Sequence, residues 1–227
     1  MFNLDEQAAL GLTQAHLCDY HGRLVEQSIT RDLKQMQAAA SKCNITLSLA
    51  SSFRDFERQS LIWNNKFNQI RPVFDINDQP VDLTHLNEQD KCQAIMLFSA
   101  IPGASRHHFG TDLDVFDANK VDDNYQLALS QHEYASGGPF FELAKWLEQH
   151  AETYGFFLPY RQFNGGVAKE PWHISHISRA QYYSNIHSKE LLEKLLINSN
   201  VAGWPSLVDQ LDTIYPQYVS NISAAGN

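Results

Sequence analysis

The sequence is poor in the features that define several large protein classes. Its three cysteines, Cys18, Cys43 and Cys92, are too few and too scattered for a disulfide framework or a CxxC metal site, and they read as ordinary buried or half-buried thiols. No apolar run approaches the ~18 residues of a membrane-crossing helix. The 17 Lys and Arg are outnumbered by 26 Asp and Glu, for a net charge of −9, and the basic residues form no stripe of the kind a phosphate backbone requires. Neither a nucleic acid nor a membrane is therefore expected as a partner. The opening MFNLDEQAALG has acids where a secretory leader has basic residues, and no apolar segment follows it. The expectation is a cytoplasmic chain, or a periplasmic one if a leader has been trimmed. There is no internal repeat and no low-complexity segment.

Enough apolar material is present for a sizeable core: 43% of the 227 residues, including 13 Phe, 9 Tyr and 4 Trp. That length suits one domain spanning 1–227. Its motif-bearing core covers about 25–180, and 181–227 forms a helical extension with a closing strand at 218–222. Val25, Ile29, Leu33, Met36 and Ala40 recur at three- and four-residue steps, which predicts an amphipathic helix over 25–42. GLTQAHL, just before it, is compatible with a short helix. ITLSLASS alternates and reads as a strand, followed by a helix over 55–67. The stretch 71–90 holds Pro72 and Pro80 among Asp and Asn residues and reads as a long functional loop. Helices are predicted at 88–100 and 139–154, the latter capped by Gly155. In the stretch 111–116, Asp112, Asp114 and Phe116 alternate with Leu113 and Val115, as in a strand with one polar face. Two strands around Gly165-Gly166 and further helices at 179–186, 189–197 and 206–214 complete the reading. Strands and helices without strict alternation point to an α+β fold.

Two short segments concentrate the chemistry: SRHHFGTDLD at 105–114 and EPWH at 170–173. His107 and His173 can each supply a nitrogen and Asp114 an oxygen to a zinc ion, with the fourth position left open, as catalytic zinc sites require. Glu170 lies three residues before His173, within reach of acting as a base toward water in that position. On a regular strand residues three apart face opposite sides, so Pro171 must mark a bend or a strand entry. A lone histidine is more often a core or surface residue than a ligand, and ExxH alone is weak. The joint presence of HxxGxxxD and ExxH is what raises the zinc reading above that background.

SRHHFGTDLD resembles the SxHxxGxAxD pattern, and EPWH the ExxH pattern, of the zinc D-alanyl-D-alanine peptidases of the VanY/VanX type. That group also includes the hedgehog signalling domain and murein endopeptidases. SSFRDFERQ at 51–59 is similar to the upstream SxYRxxxxQ segment of the same family. The resemblance spans about 45–180. It implies a small central antiparallel sheet carrying one zinc ion per chain, flanked by helices. It further implies His107, Asp114 and His173 as metal ligands, Glu170 as catalytic base, and Arg54 as the donor to the carbonyl oxygen. Ser105 and Gln59 would line the substrate cleft. The implied reaction is hydrolysis of D-alanyl-D-alanine, or of the C-terminal D-residue of a peptidoglycan stem peptide. A murein endopeptidase and a non-catalytic zinc-containing binding module are the alternatives. One departure stands out: Asp112 occupies a position where the family has a small residue. Asp112 could orient a histidine ligand, meet a cationic group of the substrate, or itself be a ligand, although the motif register selects Asp114 for that place.

Overall fold

The computed structural model describes residues 1–122 and 124–226. Helix α1 (Leu4–Ala9) leads into a two-stranded hairpin, β1 (Leu17–Tyr20) and β2 (Arg23–Glu26). The turn between them uses His21 and Gly22, with φ of 55° and 80°, the left-handed pair that a two-residue hairpin turn needs. Next come α2 (Thr30–Lys42), β3 (Leu47–Ser51), α3 (Phe56–Phe67) and α4 (Glu88–Met96). Strand β4 (Asp112–Asp117) precedes α5 (Gln131–Tyr134) and α6 (Phe141–His150). The chain then forms β5 (Phe156–Phe157) and β6 (His173–His176), and ends in α7 (Ile177–Ile186), α8 (Lys189–Ile197), α9 (Trp204–Asp209) and α10 (Leu211–Ile214).

The main sheet has the order β3-β4-β6-β5, with every pairing antiparallel. Its register determines what each face carries. Asp114 lies opposite His173, Leu113 opposite Ile174, and Asp112 opposite Ser175. Because strand side chains alternate, Leu113, Val115 and Ile174 share one face. They enter a core cluster with Leu33 and Met36 of α2 and with Leu143 and Leu147 of α6. Asp112, Asp114, His173 and Ser175 fall on the opposite, polar face. A bulge between Leu49 and Ser51 brings Ser51 opposite Asp114 and ends β3 beside this polar face.

A second apolar cluster joins Phe56 and Trp63 of α3, Ile95 and Met96 of α4, and Leu192, Leu196, Leu207 and Ile214 from the C-terminal helices. The Trp63 indole also donates to the carbonyl of Ala202 at 2.9 Å. The C-terminal segment thus covers the back of α3, the helix that follows Arg54.

The expected α+β class and small antiparallel sheet are present, as are helices near most of the predicted positions. Three local expectations are corrected, the first being the short helix at GLTQAHL, where 11–16 are turn and coil between α1 and β1. Residues 17–26 form a hairpin, and the following helix proper begins at Thr30, so Val25 is a strand residue buried in the same cluster. The predicted closing strand at 218–222 is absent: Tyr215–Val219 form a π-helical turn continuing α10. The Tyr215 hydroxyl meets His187 Nδ1 at 2.8 Å, and this tertiary contact outweighs the β-branched local composition.

Candidate active site

Each site residue is held by short-range geometry. Asp55 caps α3 by accepting from the Arg58 amide at 2.7 Å. This fixes the 52–54 link between β3 and α3. Along that link the Arg54 amide donates to the His107 carbonyl at 3.1 Å. Residues 106–109 form a single 3-10 turn closed by Gly110, whose φ of 69° redirects the chain into β4. A Cβ at Gly110 would sit 2.5 Å from Leu17 Cδ2, so both backbone angle and space select glycine there. Glu170 to His173 is a tight turn with Pro171 at its second position, and the His173 amide donates to the Glu170 carbonyl at 3.1 Å. The turn delivers Glu170 to the same place as His173, the first residue of β6, so Pro171 marks the strand entry.

His107, Asp114 and His173, all buried, present one ligand atom each within 4.8 Å of one another. His107 Nε2 lies 3.3 Å from Asp114 Oδ2, and His173 Nδ1 lies 3.4 Å from Asp114 Oδ1. The two distances run to different oxygens of one carboxylate; ligand atoms around a tetrahedral zinc stand about 3.3–3.5 Å apart, so a set lying within 4.8 Å closes on the ion with small side-chain adjustments. Hydrogen bonds behind the rings settle which nitrogen faces inward. His107 Nδ1 donates to the Ser52 carbonyl at 2.9 Å, which frees Nε2. His173 Nε2 donates to Asp112 Oδ1 at 3.0 Å, which frees Nδ1. Asp114 Oδ1 is buried and accepts no hydrogen bond, as suits a carboxylate oxygen facing a cation.

The electrostatics agree with that fit. Burial alone would lower the His173 pKa. Its bonds to Asp112 and Glu170, with the charges of Asp114 and Asp112, instead lift it to about 10. Burial would raise Asp114, but His107, His173 and Arg54 hold it below the usual carboxylate range. A pocket that binds a proton this strongly on a histidine is one that calls for positive charge.

Asp112 stands behind His173, outside the group of three candidate ligands. Its Oδ1 accepts from Arg106 Nε at 2.7 Å as well as from His173, and its Oδ2 accepts from Thr111 and Ser175 hydroxyls at 2.8 and 3.1 Å. Burial pushes its pKa up, but Arg106 and His173 outweigh this and keep it ionised.

The ligand group opens into a cleft of about 680 Å³. Arg54, Ser105, Glu170, Tyr160 and Trp172 line it near the ligands. Arg71, Phe74 and Asp78 from one segment, and residues 128–130 with His132 from another, also line it, and the two segments meet where His132 Nε2 lies 3.7 Å from Asp78 Oδ2. Glu170 Oε2 is 3.3 Å from His173 Nδ1. The Arg54 guanidinium makes no ion pair with Asp55 or Glu57; its Nη1 donates to Gln59 Oε1 at 2.8 Å and its Nη2 to Ser51 Oγ at 3.3 Å. Gln59 corrects an expectation. It is fully buried, is not part of the cleft lining, and donates its amide to the Ala100 carbonyl at 2.7 Å. It reaches the cleft only through Arg54.

His108 and His176, which lie close in sequence to the candidate ligands, point elsewhere. Burial pushes His108 down to about 3, and it bridges the Gly103 amide and the Arg54 carbonyl. His176 meets Asp32 at 3.1 Å. Sequence reasoning overlooked Lys66, Tyr160 and Arg71. The available signal for Lys66 was its place, with Gln59 and Trp63, on the buried face of α3 at i, i+4 and i+7.

Comparison with known proteins gives a consistent picture. The family described as VanY: D-alanyl-D-alanine carboxypeptidase matches residues 22–179. An uncharacterized protein of Haemophilus influenzae is 37% identical over 121 residues, 52% of this chain and 92% of its own length. The putative carboxypeptidase YodJ of Bacillus subtilis is 24% identical over 160 residues, 69% of this chain but only 48% of YodJ. Among solved structures, the vancomycin-resistance D,D-pentapeptidase VanY in complex with Zn(II) aligns with a TM-score of 0.51 and 20% identity, covering 79% of this chain and 88% of that one. VanYB in complex with D-alanine-D-alanine aligns with a TM-score of 0.52 and 19% identity, over 81% and 88% of the two chains. At these identities the structural likeness establishes a shared fold.

Proposed function

The chain belongs to the VanY D-alanyl-D-alanine carboxypeptidase family, and we propose that it is a zinc metallopeptidase removing the terminal D-alanine from peptidoglycan stem peptides. The observation carrying this reading is that two histidines and an aspartate able to surround one metal ion, a further carboxylate and a guanidinium without an acidic partner line a single cleft.

His107 Nε2, His173 Nδ1 and an Asp114 oxygen would hold the ion. Zinc bound there supplies Lewis acidity, polarising the scissile carbonyl and making water a stronger acid. Glu170 stands beside His173 at the cleft surface, where its carboxylate takes the proton from the attacking water and returns it to the departing amine. Arg54 meets the carbonyl oxygen as negative charge develops on it. The hydrogen bonds from Arg54 to Gln59 and Ser51 fix the guanidinium before substrate arrives, so little reorganisation is needed during reaction. Ser105, buried on the cleft wall, borders the substrate backbone. Retention of both Glu170 and Arg54 favours an enzyme over a zinc-containing binding module, which would need neither.

The test is product analysis. Zinc-loaded protein is incubated with a stem pentapeptide ending in D-alanyl-D-alanine, with the free dipeptide, and with a crosslinked muropeptide. Release of one D-alanine from the pentapeptide, abolished by chelation and restored by zinc, is expected. Cleavage of the crosslink alone would replace this reading with a murein endopeptidase, and no metal-dependent cleavage of any of the three would refute a peptidase.

A further inference from the structure

Lys66 lies in the last turn of α3, half-buried, with its ammonium lining the cleft that holds Arg54 and Glu170. Nζ donates to Ser99 Oγ at 2.6 Å, which fixes the end of a flexible side chain. Among the described residues no carboxylate lies within 4.0 Å of Lys66, nor of its cleft neighbours Arg54 and Arg71. Burial pulls the Lys66 ammonium down to about 8, with Glu170 the acid opposing that effect and Arg71 and Arg54 adding to it. An unpaired ammonium in a poorly solvated cleft is unfavourable on its own and leaves an unfilled demand for an anion.

The reaction supplies such an anion on the matching side. In a peptide that loses one C-terminal residue, the carboxylate is a single Cα away from the scissile nitrogen. Glu170 serves that nitrogen and lines the same cleft as Lys66. The ammonium, on a helix whose start follows Arg54 and anchored to Ser99, is accordingly assigned to the leaving-group side of that cleft.

Resting on the carboxypeptidase reading, we propose that Lys66, steadied by Ser99 and flanked by Arg71, receives the substrate's terminal carboxylate and so restricts the enzyme to releasing one residue from a free C-terminus. The contact forms and breaks without covalent change, and Lys66 is a specificity-determining residue.

The experiment compares zinc-loaded wild type with Lys66→Met and Lys66→Arg on two stem peptides that differ only in a free or an amidated C-terminus. A charge-assisted contact of this kind gives a preference of about 10- to 100-fold in kcat/KM for the free acid. That preference is expected in wild type, carried by KM, retained largely by Lys66→Arg and collapsing toward unity in Lys66→Met. A Lys66→Met enzyme that keeps the wild-type preference, or a wild type that cleaves acid and amide equally well, overturns the assignment while leaving the peptidase intact. A wild type that cleaves neither peptide overturns the carboxypeptidase reading and this inference with it.

Discussion

Asp112 Oδ1 accepts a hydrogen bond from His173 Nε2 at 3.0 Å, and the same oxygen is held by Arg106 Nε at 2.7 Å. One buried carboxylate thereby fixes which nitrogen of His173 faces the candidate metal position and raises the basicity of that nitrogen. The family pattern has a small residue here. Arg106, from the 3-10 turn before β4, bonds to Asp112 across the polar face of the sheet, so the carboxylate at this position is part of a buried charge pair.

Asp112→Ala therefore weakens zinc binding. The expected loss is about 10- to 100-fold in affinity, read by competition against a chromogenic chelator. Arg106→Met behaves differently, because it leaves Asp112 ionised and buried beside His173 with its strongest partner gone. It lowers stability by about 3–5 kcal/mol, read by denaturant unfolding of the zinc-loaded protein. Equal zinc affinity in Asp112→Ala and wild type would remove the orienting role.

On the proposed mechanism, in which the guanidinium meets the carbonyl oxygen, Arg54→Ala lowers kcat by about 100-fold or more while leaving zinc content at one per chain. Gln59→Leu reproduces part of that loss without touching the cleft, since it releases Arg54 Nη1 and unpairs the Ala100 carbonyl. Steady-state kinetics alongside metal analysis separates these outcomes from a general loss of the site.

The pH dependence follows from Lys66. Its pKa is lowered from 10.5 to about 8, so the ammonium is present below that value and lost as pH rises through it. Glu170 favours the charged form, whereas Arg71 and Arg54 disfavour it. KM for a free-acid peptide accordingly rises above about pH 8 in wild type, relative to its amide counterpart. It stays flat in Lys66→Arg, whose guanidinium remains charged. A ratio of the two KM values that does not change between pH 7 and 9.5 in wild type would contradict this.

The sequence made the polar face of β4 visible because strand alternation sets Asp112 and Asp114 against Leu113 and Val115, and the structure keeps that division. Helices α3 and α8 were equally plain, with Asp55 and Ser188 as caps. The β1–β2 hairpin was obscured because Val25 fits the helical spacing of Ile29, Leu33 and Met36, and its His21-Gly22 turn is not among the commonest hairpin pairs. The residues that tune the site were harder to see. Gln59 and Lys66 differ in role only because one is enclosed between Arg54 and Ala100 while the other emerges into the cleft. That distinction depends on how 97–105 packs against α3, a long-range fact with no local signature.

The most direct measurement pairs zinc content with D-alanine release in wild type and Glu170→Gln. The account predicts one zinc per chain in both. Wild type releases D-alanine in step with the shortened peptide, and the variant loses about 10²- to 10⁴-fold in kcat. A Glu170→Gln enzyme with undiminished turnover, or a zinc-loaded wild type that releases no D-alanine from any stem peptide, would contradict it.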